Sequence, residues 1–159
     1  MNKYKFDEYG IITPYQVHSG DIDTMFRCFV DKYNGKLTTR KMIWHKYTKY
    51  NNEVIRRIKV PFKQLCFGSF ITKKKSPSDI DIVNIIHHSK TPLLHDMQGD
   101  EAIDKYATDA YFIPEYEDDS PNNAITKALI NKKIKYGLFD DRKKKRQSML
   151  EIEINYEQP

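Results

Sequence analysis

The sequence predicts an α/β (α+β) fold, a mixed β-sheet with helices packed on it, in the order α-α-β-β-α-β-α-β. Three observations carry this. Apolar residues recur at helical spacing through the first third of the chain, and that period is lost after Pro61. Beyond it lies a β-branched run, DIDIVNII, apolar on both faces as a central buried strand requires. The chain of 159 residues, 39% hydrophobic and 13% aromatic, fits a single domain, 1–159. A domain of that size buries roughly two-thirds of the surface its unfolded chain exposes, and so needs neither a disulfide nor a metal to fold.

The first helix is expected over residues 22–33, where Ile22, Met25, Phe26, Phe29, Val30 and Tyr33 share a face. Ser19 or Asp21 can cap it, and Asn34-Gly35 ends it. A second helix runs from Thr38 or Thr39 to about Ile58, with Ile43, Tyr47, Val54, Ile55 and Ile58 as its apolar stripe. Trp44 and Tyr50 read as core aromatics rather than ligand-stacking ones. Short strands follow over residues 64–67 and 79–86, then a short helix between His95 and Tyr106. A third strand over residues 107–113 is stopped by Pro114. Ser120-Pro121 opens a helix that reaches Tyr136 with Gly137 just past its end, and residues 149–156 form the last strand.

The net charge of +5 and isoelectric point near 9.0 suit a polyanionic partner, either nucleic acid or nucleotide phosphate. Diffuse solubilising charge is the competing explanation, since residues 115–119 are acidic. Two runs concentrate the positive charge, Lys73-Lys74-Lys75 and residues 142–146. Cys28 and Cys66 lie in apolar stretches without CxxC spacing and read as buried thiols of a reducing compartment. No apolar leader or membrane-length run is present, so the expected location is the cytoplasm.

One constellation carries chemistry. Gly68-Ser69 ends a short strand, and a nine-residue gap separates it from Asp79-Ile80-Asp81 entering the next. Glycine followed by serine lets the backbone approach a ligand closely, with N–H groups and a hydroxyl to hold phosphate oxygens. Two aspartates two apart on a strand share a face, with Cα atoms ~6.5–7 Å apart. Such a pair repels itself and is expensive to desolvate, and a divalent cation relieves both problems. Mg²⁺ fits best, because it accepts one or two carboxylates, several waters and substrate phosphates.

This joint pattern resembles the signature of the polymerase-β-like nucleotidyltransferase superfamily. FDEYGIITP, the helix around Thr39-Arg40, GSFITKK, the SPSDIDIV block and a later Asp-Arg near the last strand resemble, more narrowly, a small nucleotidyltransferase-like family of prokaryotic and phage proteins. The resemblance implies that Gly68 and Ser69 contact a nucleotide triphosphate and that Asp79 and Asp81 bind Mg²⁺. It also implies a third carboxylate on a neighbouring strand. Asp109 is the choice, an acid at the start of a strand like Asp79, with Glu151 and Glu153 as runners-up. Lys74 and Arg142 are the candidate phosphate contacts, although Lys74 reads equally well as a solvated loop lysine. The sequence departs from the family in lacking any glycine between Lys143 and Ser148, where a glycine-containing turn and a Lys-Gly precede the last strand.

The implied function is transfer of a nucleoside monophosphate from an NTP to an acceptor hydroxyl. RNA or tRNA is favoured as acceptor, with a protein or small molecule open, and a protein partner or homo-oligomer would help select it. Small solitary members resemble toxins or phage-defence effectors. Two alternatives belong to other classes: a non-catalytic nucleotide-sensing or interaction module on the same fold, and a basic nucleic-acid-binding protein. His87, His88 and His95 with Asp96 have no zinc-ligand spacing and read as solvent-facing loop residues. No Walker loop, Ser-His-Asp set or catalytic-cysteine context is present.

Overall fold

The structure, a computed structural model, describes residues 3–33, 38–140 and 144–155. Its elements are β1 (Lys5–Phe6), β2 (Ile12–Thr13), β3 (Val17–Gly20), α1 (Ile22–Phe29), α2 (Thr38–Ile58), β4 (Phe62–Phe67), β5 (Ile80–His87), α3 (Gly99–Tyr106), β6 (Thr108–Glu115), α4 (Asn123–Gly137), β7 (Phe139–Asp140), β8 (Lys145–Arg146) and β9 (Met149–Ile154). The fold is mixed α+β: a five-stranded mixed sheet, ordered β3-β9-β4-β5-β6, carries the helices. β5 and β6 are parallel, as are β3 and β9, while β4 runs antiparallel to both its neighbours.

The expected order of major elements omits the three short strands before α1 and the β7–β8 hairpin between α4 and β9. Four of these five strands are only two residues long, too short for any period to register. The first helix ends at Phe29 and continues only as a 3₁₀ turn, Asp31–Tyr33. Asp21 is its cap, accepting from the Thr24 N–H at 2.7 Å. Asn34-Gly35 and Tyr156 lie outside the described residues. Pro114 does not stop β6, because β6 is the sheet's edge strand, where proline costs no ladder bond to a further neighbour. The fourth helix begins at Asn123, after a turn that contains Ser120-Pro121.

The larger core lies between the sheet and α1, α2 and α3. It contains Met25, Phe29, Ile43, Tyr47, Tyr50, Val54, Ile58 and the matching strand residues Cys66, Ile80, Ile82, Ile86, Leu150 and Ile152. Within it α2 docks through hydrogen bonds as well as apolar contact. Tyr47 donates to Gln64 Oε1, Gln64 Nε2 donates to Asn51 (3.0 Å) and Asn84 (2.8 Å), and Asn84 donates to the Tyr50 hydroxyl (2.9 Å). Gln64 and Asn84 are fully buried in β4 and β5, so this satisfied chain fixes how α2 sits on the sheet. Burial pushes the neighbouring Cys66 thiol up to about 12, so Cys66 is an inert core group. The smaller core, on the other face, packs Leu65, Val83, Ile85, Ile113 and Met149 against Ile130, Ile134 and Leu138 of α4 and the turn after it.

A second buried polar element is Arg40, in the first turn of α2 and fully inaccessible to solvent. Its Nη1 donates to the carbonyls of Phe29 (3.1 Å) and Phe70 (2.7 Å), and its Nη2 to those of Thr72 (2.8 Å) and Lys74 (2.5 Å). The guanidinium also lies over the rings of Tyr33 (4.8 Å) and Phe70 (5.0 Å). Burial lowers its proton affinity from the ordinary guanidinium value, yet four carbonyl dipoles converge on it. Three of them belong to the segment that leaves β4 through Gly68-Ser69. Replacing Arg40 by alanine strands the buried carbonyls of Phe29 and Phe70. We expect a loss of about 3 kcal/mol or more in urea unfolding, and only partial recovery with R40K, whose ammonium lacks the planar fork.

Candidate active site

The C-terminal end of β4 and the N-terminal ends of β5 and β6 meet at one edge of the sheet, on the α4 face. A cleft of about 700 Å³ opens there, lined among others by Gly68, Ser69, Lys74, Asp79 and Asp81. Phe67 is the register partner of Asp81, and Asp81 that of Asp109. Two strand pairings therefore bring the glycine-serine turn and two acids together, while Asp79 stands just ahead of β5 on the same cleft.

Gly68 has φ +77°, a region that disfavours side chains, and a Cβ added there would lie 2.1 Å from Asp81 Oδ2. Glycine is required because the backbone passes directly against this carboxylate. Beyond it a 3₁₀ turn, Ser69–Ile71, closes with the Thr72 N–H and hydroxyl both donating to the Ser69 carbonyl, at 3.2 and 2.6 Å. The N-terminal segment braces this turn. The Asp7 carboxylate accepts from the N–H groups of Tyr9 and Ile11 and from the Tyr15 hydroxyl. The Gly10 carbonyl accepts from Lys73 N–H at 3.0 Å, and any Cβ on Gly10 would collide with the Lys73 side chain at 2.6 Å. Tyr9 and Ile11 thereby form one wall of the cleft.

The electrostatics follow from crowding. Burial, then Asp79, then Asp109 push the Asp81 carboxyl up to about 7, and a hydrogen bond shared with Asp109 adds to the shift. Burial and Asp109 also raise Asp79, which Lys74 partly offsets. Asp109 Oδ1 is buried and has no hydrogen-bond partner among the described residues. Carboxylates crowded at neighbouring strand ends, one with an unsatisfied buried oxygen, are hard oxygen donors of the type a divalent cation such as Mg²⁺ takes.

The structure thus brings together Gly68, Ser69, Lys74, Asp79, Asp81 and Asp109. Arg142 lies outside the described residues, as does Lys143. Glu151 and Glu153 do not join the cluster. They sit on β9 opposite Leu65 and Lys63, and Glu151 faces Lys63 at 3.9 Å. Lys133 of α4 was not among the expected residues. Its ammonium lies 4.4 Å from the Phe67 ring centroid and draws the Asp81 carboxyl back down. The signal was available: Lys133 falls in the sheet-facing stripe of Thr126, Ile130, Ile134 and Gly137, where a lysine is out of place unless it has a charge to serve. Lys145 and Tyr136 also line the cleft, and the Lys145 ammonium rests 4.5 Å over the Tyr9 ring.

Comparison with known proteins adds a family. Residues 4–153 match a family of unknown function, DUF6932. The chain belongs to this family. No curated protein and no solved structure matches it. Among the described residues, no helix is long and apolar enough to cross a membrane.

The raised Asp81 value fixes a pH dependence. The fold favours the neutral carboxyl, so its contribution to stability is present at low pH and declines as pH rises from the unfolded value near 4 to about 7. Metal-free D81N should therefore match its parent near pH 4. By pH 8 it should exceed the parent by on the order of 2 kcal/mol, after discounting for partial exposure. Urea unfolding in EDTA across that range checks both the sign and the window.

Proposed function

We propose that the protein is a Mg²⁺-dependent nucleotidyltransferase that moves a nucleoside monophosphate from an NTP to an acceptor hydroxyl. The observation that carries this reading is that Asp79 and Asp81 line one open cleft with Gly68-Ser69, beside Asp109 on the neighbouring strand, whose buried oxygen has no partner among the described residues. Asp79, Asp81 and Asp109 would hold Mg²⁺, whose charge offsets that of the triphosphate and of the departing pyrophosphate.

The chain's own groups divide the remaining work. Gly68 admits a phosphate against bare backbone, and Ser69 supplies a hydroxyl beside it. Lys74 and Lys145 line the cleft and provide positive charge for the triphosphate. Asp109, beside Asp81, takes the proton of the acceptor hydroxyl as the acceptor oxygen bonds to the α-phosphorus. The bond from that phosphorus to the bridging oxygen breaks, and pyrophosphate leaves. Positioning and charge stabilisation supply most of the acceleration, as in phosphoryl transfer generally. RNA is the acceptor best suited to the net charge of +5 and to the lysines beside the cleft.

Two measurements test this. Mg²⁺ with an NTP should raise the melting temperature of the parent and leave D79N/D81N unmoved, and pyrophosphate release should occur only with the parent. Binding without pyrophosphate release would replace the enzyme with a nucleotide-sensing module. Equal stabilisation of both proteins would remove the carboxylate cleft from nucleotide binding altogether. Separately, neutralising Lys143, Lys144 and Lys145 should weaken RNA binding and flatten its log–log salt slope by roughly 0.7 per lost single-strand phosphate contact. An unchanged slope would move the acceptor away from RNA.

A further inference from the structure

The far end of β5 carries a second cluster of ligand-type side chains. His87 ends β5, His88 follows it, and Glu117 sits just beyond the end of β6. Pairing of the two strands continues to His87 and Glu115, and the His88 N–H donates to the Glu115 carbonyl at 2.8 Å. The Glu117 carboxylate is thereby held alongside both imidazoles. His87 Nε2 lies 2.5 Å from Glu117 Oε1 and His88 Nε2 lies 3.6 Å from Oε2, and one ligand atom from each of the three residues falls within 4.8 Å of the others. Four ligands placed ~2.0–2.1 Å from a zinc ion are themselves spaced by about 3.3 Å, so this is the scale of a coordination shell.

The flanking groups hold the rings in place. The His88 ring stacks on Tyr116 with centroids 4.4 Å apart, and the two imidazole centroids are also 4.4 Å apart. His87 Nδ1 is held from the other side by Ser89, whose N–H donates to it at 3.2 Å and whose Oγ lies 2.7 Å away. Each of the three side chains is partly exposed, which leaves the remaining coordination positions to water. The two other residues a sequence reader would add are not part of it. Asp96 is engaged by Arg57 at 2.5 Å, and His95 lies outside the cluster.

We propose that His87, His88 and Glu117 form a binding site for a borderline divalent ion of the Zn²⁺ class, which clips the end of β5 to the connection between β6 and α4. Two imidazoles and one carboxylate are a nitrogen-rich set that prefers Zn²⁺, Co²⁺ or Ni²⁺ to Mg²⁺. The site is separate from the carboxylate cleft. Six residue steps along the strand separate Asp81 from His87, a distance of about 20 Å. Ion binding at this end of β5 does not depend on what the cleft does.

Titrating the full chain with Zn²⁺ by calorimetry, in a buffer containing millimolar Mg²⁺, tests it. One ion per chain should bind, with a rise in melting temperature. H87A, H88A and E117Q should each weaken binding by more than about 100-fold, since loss of even an outer partner costs ~10–100-fold. D79N/D81N should bind as the parent does. Co²⁺ should give visible d–d absorption that H87A abolishes, which distinguishes coordination from a loss of fold. Circular dichroism of the variants, whose altered side chains are at the surface, should match the parent. Absence of Zn²⁺ binding in the parent, binding retained in H87A/H88A, or binding lost in D79N/D81N would each overturn the proposal.

Discussion

The candidate site depends on one buried cation. Arg40 reaches from the first turn of α2 to the end of α1 and to three carbonyls of the segment after Gly68. A guanidinium in the interior with no carboxylate paired to it among the described residues is costly, and dense carbonyl coordination and two aromatic faces make it tolerable. That cost works as a constraint. The loop cannot relax outward without leaving the charge unsolvated, so the turn that carries Gly68 and Ser69 is tied to the helical layer. The N-terminal segment adds a second tie through Gly10 and Lys73.

Against this fixed loop, the strand ends hold groups that repel one another. Asp79, Asp81 and Asp109 share a partly desolvated corner, and Gly68 has no side chain because Asp81 occupies that space. Stability would favour an asparagine in such a place. Lys133 and Lys74 partly offset the repulsion. The arrangement is what a site for a cationic ligand requires, with rigid surroundings and an electrostatic deficit at the centre.

Much of this was legible in the sequence, and the rest was hidden for physical reasons. The long stripe of α2 and the two-faced apolar run of β5 report their own structure, and the glycine-serine and double-aspartate spacing reports the cleft. Asp109 was reachable by analogy with Asp79, since parallel strands start at the same edge. Two-residue strands such as β1 and β7 have no period to read. Gln64 and Asn84 look like breaks in apolar strands until α2 brings Tyr47, Tyr50 and Asn51 to them. Arg40 sits on a helix whose surface is rich in lysine and arginine, and nothing local marks it as the one that is buried. Glu117 is thirty residues from His87, so only the parallel pairing of β5 and β6 brings them together.

The position of β9 has a consequence for how the protein is made. The last strand of the chain lies inside the sheet, between β3 and β4, and is hydrogen-bonded to both. As the polypeptide leaves the ribosome, β4, β5 and β6 can pair with one another, but β3 has no sheet to join and one edge of β4 stays open. When residues 149–154 have emerged, β3 gains its partner, and the Ser148 hydroxyl comes within hydrogen-bonding distance of the Ile12 and Pro14 carbonyls. A nascent chain that already contains every carboxylate of the site still lacks the completed sheet until residues 149–154 have emerged.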